Sequence, residues 1–217
     1  MMGLTQAFTA SIAAFTATNI DDIVILMVFF SRISPTFRPH HVVVGQYVGF
    51  LLLLLASLPG FLGGLIIPPA WLGLLGFLPI AIGIHQLFAG EFDATDVQTV
   101  TEENSVQNGW LARSRSFLNI PPQTYQVAAV TVANGGDNIS IYVPLFANST
   151  LAAMGVILSV FLMMVAVWCG IAYYLTRHAA IAHYLPHYGH RVVPFVLIGL
   201  GIFILLESRV YQLLISS

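Results

Sequence analysis

Thr16-Ala17-Thr18-Asn19-Ile20-Asp21-Asp22-Ile23-Val24-Ile25-Leu26-Met27 places two adjacent carboxylates inside a long apolar segment. About 20 mostly apolar residues suffice for a helix to cross a bilayer. An ionised carboxylate inside hydrocarbon costs at least a few kcal/mol, so it must face a cavity, a partner or a cation. This stretch therefore sets two questions: whether the chain lives in lipid, and what compensates its acids. Composition answers the first. Of 217 residues, 58% are hydrophobic and only 7% are charged, and the mean hydropathy is +0.87. A soluble domain carries about 25% charged residues, and so sparse a set cannot build a water-facing surface. The expected surroundings are a lipid bilayer.

The formal net charge is −2, and all seven basic residues are arginines. No basic face for nucleic acid can form from so few. The single cysteine, Cys169, excludes an internal disulfide and an all-thiolate metal cage. The first apolar segment lacks a basic leader and holds Asp21-Asp22, so it reads as a span rather than a removable signal.

Hydropathy and breakers predict an all-α membrane protein of six transmembrane helices, near 5–30, 42–66, 71–89, 122–147, 151–176 and 192–213. Arg32 to His41, Pro68-Pro69 and Asn148-Ser149-Thr150 mark short connections. Residues 90–120 read as one long polar loop, and 177–191, with its histidines and arginines, as another connection. Loops 1–2, 3–4 and 5–6 carry Arg32, Arg38, Arg113, Arg115, Arg177 and Arg191, whereas the other side carries only Arg209. Basic residues favour the cytoplasmic face. Both termini are then expected outside, with a bacterial inner membrane as the location.

The halves echo each other. At an offset of 116, Thr18, Asp21, Asp22, Ile23 and Ile25 pair with Asn134, Asp137, Asn138, Ile139 and Ile141, and Gly83 pairs with Gly199. An offset of 115 instead pairs Asn19 with Asn134, Asp22 with Asp137, and Pro79 with Pro194. Three crossings per half force the second half to enter from the opposite side. The expectation is two inverted three-helix repeats, 1–90 and 122–217, joined by a cytoplasmic loop at 91–121. Transporters built this way hold their site at the repeat interface, near the midplane.

Positions i, i+3 and i+4 share a helix face. Thr18, Asp21 and Asp22 form one such set, and Asn134, Asp137 and Asn138 form another. Both stripes consist of oxygen-bearing side chains on apolar rods, and the spans offer few basic partners. A metal ion or a proton is the natural compensation. Gly135-Gly136 precede Asp137 and weaken the helix there, so that freed carbonyls can join a coordination shell. Candidate cation ligands are Asp21, Asp22 and Asp137 for charge, with Asn134, Asn138, Asn19 and Thr18 as neutral oxygens. Gln46 and Tyr47 either line the same cavity or bond between helices. His85 reads as interfacial, Glu207 as a structural partner of Arg209, and His178, His183, His187 and His190 as a solvated loop. Cys169, Met163 and Met164 read as core or lipid-facing residues.

Several stretches resemble the cadmium-resistance transporter family (CadD type) of the lysine-exporter superfamily. They are Ala17-Thr18-Asn19-Ile20-Asp21-Asp22, Gly45-Gln46-Tyr47-Val48-Gly49, Leu72-Gly73-Leu74-Leu75-Gly76, Gly135-Gly136-Asp137-Asn138-Ile139 and the run from Gly201 to Glu207, in the family's order. The resemblance implies export of a divalent heavy metal, Cd²⁺ by family name, with family aspartates matching Asp21 and Asp137. Some members carry cysteine at the position of Asn134, and some lack the acid at Asp22. Oxygen donors suit Mn²⁺, Ca²⁺ or Mg²⁺ better than the softer Cd²⁺. No ATP-binding motif is present, so an ion gradient, with protons as the expected coupling ion, would drive transport. No resident cofactor is expected, and the sequence leaves room for a homo-oligomer. Two other classes stay open. An intramembrane aspartyl protease also needs paired aspartates, although Gly135-Gly136-Asp137 is not its Gly-x-Gly-Asp pattern. An amino-acid exporter needs a counter-charge for its substrate carboxylate, which the spans scarcely offer.

Overall fold

The computed structural model describes residues 2–66, 71–72, 74–88, 121–177 and 184–207, with the backbone alone at Gln86, Asp137 and residues 184–192. The helices, in chain order, are α1 (Leu4–Thr18), α2 (Ile20–Ser31), α3 (Pro39–Ile66), α4 (Phe77–Phe88), α5 (Pro122–Asn134), α6 (Gly136–Ala147), α7 (Leu151–Thr176) and α8 (Tyr184–Glu207). A short 3-10 turn, Leu74–Gly76, leads into α4. Among the described residues, the extended pairing is a single bridge between Met2 and Ser149. The all-helical expectation holds.

Length and apolarity qualify α3 and α7 as membrane-crossing helices, and the bent pair α1–α2 as a third. The helix expected over 5–30 is therefore not continuous: it bends by 57° at a break. Asn19, with φ −118° and ψ 16°, closes α1 and opens α2. The helix expected over 122–147 also breaks, at Gly135 (φ −87°, ψ 16°). Both breaks carry the same backbone angles to within a few tens of degrees, yet only one falls on a glycine. The last helix starts at Tyr184, so the connection expected over 177–191 is shorter than its histidines suggested. The polar loop over 90–120, the Pro68-Pro69 connection and Arg209 lie outside the described residues.

Chain direction can be read from the contacts. Gly45 packs on Val127, Gly49 on Thr131, Gly60 on Val143 and Gly64 on Ala147. Numbers rise together, so α3 runs parallel to α5–α6 along a seam of glycines. On the other side, Met2 bonds to Asn148, Phe15 meets Phe161, Asn19 meets Trp168 and Phe30 meets Tyr173. There α7 runs parallel to α1–α2. Gly76 touches Gly201 and Gly83 touches Pro194, so α4 and α8 are antiparallel. The long unbroken helices α3 and α7 thus each lie along the broken pair of the other half.

The seam on α3 depends on hydrogen in place of a side chain. A Cβ at Gly49 would stand 2.6 Å from Thr131 Cβ and 2.8 Å from the Ala128 carbonyl oxygen. Small residues of this kind let membrane helices approach closely. Buried Phe15, Phe50, Phe161 and Trp168 fill the centre, with Phe15 centroids 5.3, 5.8 and 5.2 Å from Phe50, Phe161 and Trp168. Tilted and edge-on pairs like these contribute about 0.5–1.5 kcal/mol each beyond burial.

Overpacking typically costs ~1–3 kcal/mol, so Gly49→Ala lowers the thermal midpoint of the detergent-solubilised protein by several degrees. Gly155 on α7 faces open space: a Cβ there would meet nothing within 4 Å. Gly155→Ala therefore leaves the midpoint unchanged or raises it. Equal effects of the two substitutions would refute the seam.

Candidate cation site

A helix break inside the bundle frees main-chain groups on both sides. Asn19 meets this demand with one side chain. Its Nδ2 donates toward the Phe15 carbonyl (2.9 Å), Thr18 Oγ1 (2.8 Å) and the Tyr142 hydroxyl (2.9 Å). Its own carbonyl accepts from Trp168 Nε1 at 2.7 Å. Thr18 Oγ1 also lies 2.9 Å from the Tyr142 hydroxyl. The break in one half is therefore held by α6 and α7 of the other.

The break has a second effect. It places Asp21 and Asp22 in the first turn of α2, where unbonded N–H groups and the positive end of the helix dipole favour negative charge. Asp137 and Asn138 occupy the same place in α6, after Gly135. The acids are thus at helix starts rather than along a continuous stripe.

Asp22 is 3% exposed. Its Oδ2 accepts from Gln46 Nε2 at 2.9 Å, and its Oδ1 accepts from Asn134 Nδ2 at 2.8 Å. Thr131 donates to Gln46 Oε1 at 2.6 Å. Across the gap, Asn138 Nδ2 points at Asn19 Oδ1 at 3.4 Å. Asn138 is 1% exposed, and among the described residues its Oδ1 has no hydrogen-bond donor. A buried acceptor without a donor is uncommon. Here it is a neutral oxygen on the side chain that meets Asn19, at the break that opens the helix carrying Asp22.

Of the seven sequence candidates, the structure gathers Thr18, Asn19, Asp22, Asn134 and Asn138 where the two breaks meet. Asp21 is exposed, so neighbouring acids take different surroundings. Asp137 lies in the first turn of α6, and its side chain is outside the described residues. Among the described residues, no three His, Cys, Asp or Glu side chains converge. A cation here would rest on carboxylate together with amide, hydroxyl and main-chain oxygen.

Gln46 both lines the site and bonds between helices. Tyr47 instead ties α3 to α7 through the Leu162 carbonyl, at 2.9 Å. Cys169 is buried and Met163 is exposed. His85 is exposed near the end of α4. Glu207 accepts from Gln6 Nε2 at 3.0 Å, and its expected partner Arg209 lies outside the described residues. Sequence reasoning missed Thr131, Tyr142 and Trp168. The first two carry a legible signal: Thr131 lies three residues before Asn134, and Tyr142 four after Asn138, on shared faces.

The cadmium resistance transporter family matches residues 15–217, a span that includes both breaks and every residue of this cluster. The chain belongs to that family. Its membership makes it a membrane transport protein and fits the apolar helices. No curated protein and no solved structure matches the chain.

Tyr142→Phe removes the hydroxyl shared by Thr18 and Asn19 and costs about 1 kcal/mol. Asn19→Ala strips every side-chain contact of the tie, leaving the Trp168 bond to the main-chain carbonyl, and costs more, about 2–3 kcal/mol. Thermal unfolding in detergent reads both, and the tie at the break is wrong if Asn19→Ala is the milder of the two.

Proposed function

We propose that the chain is a secondary transporter that exports a divalent cation, Cd²⁺ or a similar ion, from the cytoplasm. The cation site lies between the broken pairs α1–α2 and α5–α6. The observation that carries this reading is Asp22, a buried carboxylate at a helix start that accepts from Gln46 of α3 and Asn134 of α5, with a second buried oxygen, Asn138 Oδ1, that has no donor among the described residues, at the start of α6. Broken helices that bring their ends to a midplane site are a recurrent device for binding ions in lipid.

The arrangement around the site supports six crossings as two inverted three-helix repeats. The breaks at Asn19 and Gly135 are 116 residues apart, and so are the ends of α2 and α6, at Ser31 and Ala147. That spacing favours the 116 register over 115. The parallel run of α3 with α5–α6, answered by α7 with α1–α2, is what a two-fold relation between halves produces. Arginine placement favours the Arg32 loop and the 91–121 loop in the cytoplasm, which supports both termini lying outside an inner membrane.

In this reading Asp22 and Asp137 supply charge, and Asn19, Asn134, Asn138 and Thr18 supply neutral oxygen. Asp21, exposed at the same helix start, is the group best placed to exchange protons with water. Protons arriving from outside would discharge the carboxylates and release the metal, giving antiport. The donor set is all oxygen, which favours Mn²⁺ or Ca²⁺ as a second substrate reading beside Cd²⁺.

Proteoliposomes loaded with Cd²⁺, Mn²⁺ or Zn²⁺ test the site. Asp22→Asn and Asp137→Asn each lower flux of the transported ion by about tenfold or more, because a charge-assisted contact is worth ~1.5–3 kcal/mol. Undiminished flux in both variants would sink the reading. Topology has its own test. On a Cys169→Ser background, right-side-out vesicles label Thr150→Cys with an impermeant maleimide and leave Ser34→Cys unlabelled. The reverse pattern turns the protein over in the membrane.

A further inference from the structure

Gln46 lies on the unbroken helix α3, outside both acidic motifs, yet it makes the most constrained contact to Asp22. An ionised carboxylate only accepts hydrogen bonds, so the Gln46 amide must present its N–H end to Asp22 Oδ2. Its oxygen is then turned away, to the Thr131 hydroxyl at 2.6 Å. In this orientation Gln46 helps keep Asp22 charged but offers no oxygen to a cation. Thr131 has one proton and two acceptors in reach: Gln46 Oε1 and the Val127 carbonyl, at 3.0 Å. If the hydroxyl turns to Val127, the amide oxygen is released at little cost, since the Val127 carbonyl is within the same helix.

We propose that Gln46 and Thr131 form a rotatable amide switch that sets when Asp22 takes the transported cation. The proposal rests on the transporter reading above and adds two positioning residues to it. In one setting Thr131 bonds Gln46, and Gln46 donates to Asp22. In the other Thr131 bonds Val127, and the Gln46 oxygen joins Asp22 on the cation. The relay opposes binding by the strength of one hydrogen bond, which weakens retention and speeds release. Thr131 is 2% exposed, and its Cβ and Cγ2 pack against Gly49. Valine keeps both contacts and deletes only the hydroxyl.

The test uses the full-length protein, with Cd²⁺ and then Mn²⁺ as probes, in calorimetric binding and in proteoliposome flux. Thr131→Val tightens binding about fivefold, the effect of one net neutral hydrogen bond, and lowers KM and kcat together. Thr131→Ser restores both. In a Gln46→Leu background, Thr131→Val produces no tightening. Thr131→Ala repeats the measurement should valine impair folding. Unchanged binding in Thr131→Val, or tightening that persists without Gln46, overturns the switch while leaving the transporter reading intact, provided Asp22→Asn abolishes binding. A wild type that neither binds nor moves Cd²⁺, Mn²⁺ or Zn²⁺ overturns both.

Discussion

A helix broken inside a bilayer exposes main-chain groups that lipid cannot satisfy, at several kcal/mol each. Everything else in this structure follows from meeting that demand twice. At Asn19 the cover comes from its own amide, from Tyr142 on α6 and from Trp168 on α7. At Gly135 the main chain closes on the Thr131 carbonyl, and Leu53 of α3 packs over the glycine. Each break is covered in part by the other half. The glycine seam of α3 brings that helix close enough to α5–α6, and the aromatic centre fixes α7 against α1–α2. Packing and polar satisfaction are one requirement here, since loosening either seam would strand a break in hydrocarbon.

The same breaks solve the problem of charge. A buried carboxylate needs favourable partners, and a nearby arginine would supply them most strongly. Such a permanent cation would also compete with any metal. The partners described for Asp22 include the start of α2 and two amide N–H groups, from Gln46 and Asn134. Amides have a further property that arginine lacks, because the same side chain that donates by one end can coordinate by the other.

Sequence alone located most of this cluster, because acids and amides are rare in apolar helices. Asp22, Asn134 and Asn138 stood out against leucine and valine, and the doubled motif marked the two helices that meet. What it could not show was the break at Asn19. Gly135-Gly136 advertises a weak helix, whereas asparagine does so only when distant Tyr142 and Trp168 are there to hold it. The separation of Thr18 from Asp21 and Asp22 was hidden for the same reason. Face arithmetic assumes a continuous helix from Thr18 to Asp22, and the bend of 57° interrupts it. Thr131 was legible only as a neighbour of Asn134 on its helix face, because its bond goes to Gln46, eighty-five positions away.

The two breaks share a frame but not a chemistry. At the 116 offset, Asn19 aligns with Gly135, Thr18 with Asn134, and Asp22 with Asn138. If both halves carried the first motif unchanged, four carboxylates and two asparagine hinges would crowd one crossing. Like charges at that distance would drive protons on and leave the site neutral. Replacing one acid by Asn138 keeps an oxygen while removing a charge, and replacing one hinge by glycine leaves room for Leu53 and the neighbouring amide. The repeat supplies the geometry of two facing helix starts. Its departures from symmetry remove one acid and one asparagine hinge, and of the motif acids whose side chains are described, Asp22 is buried and Asp21 exposed.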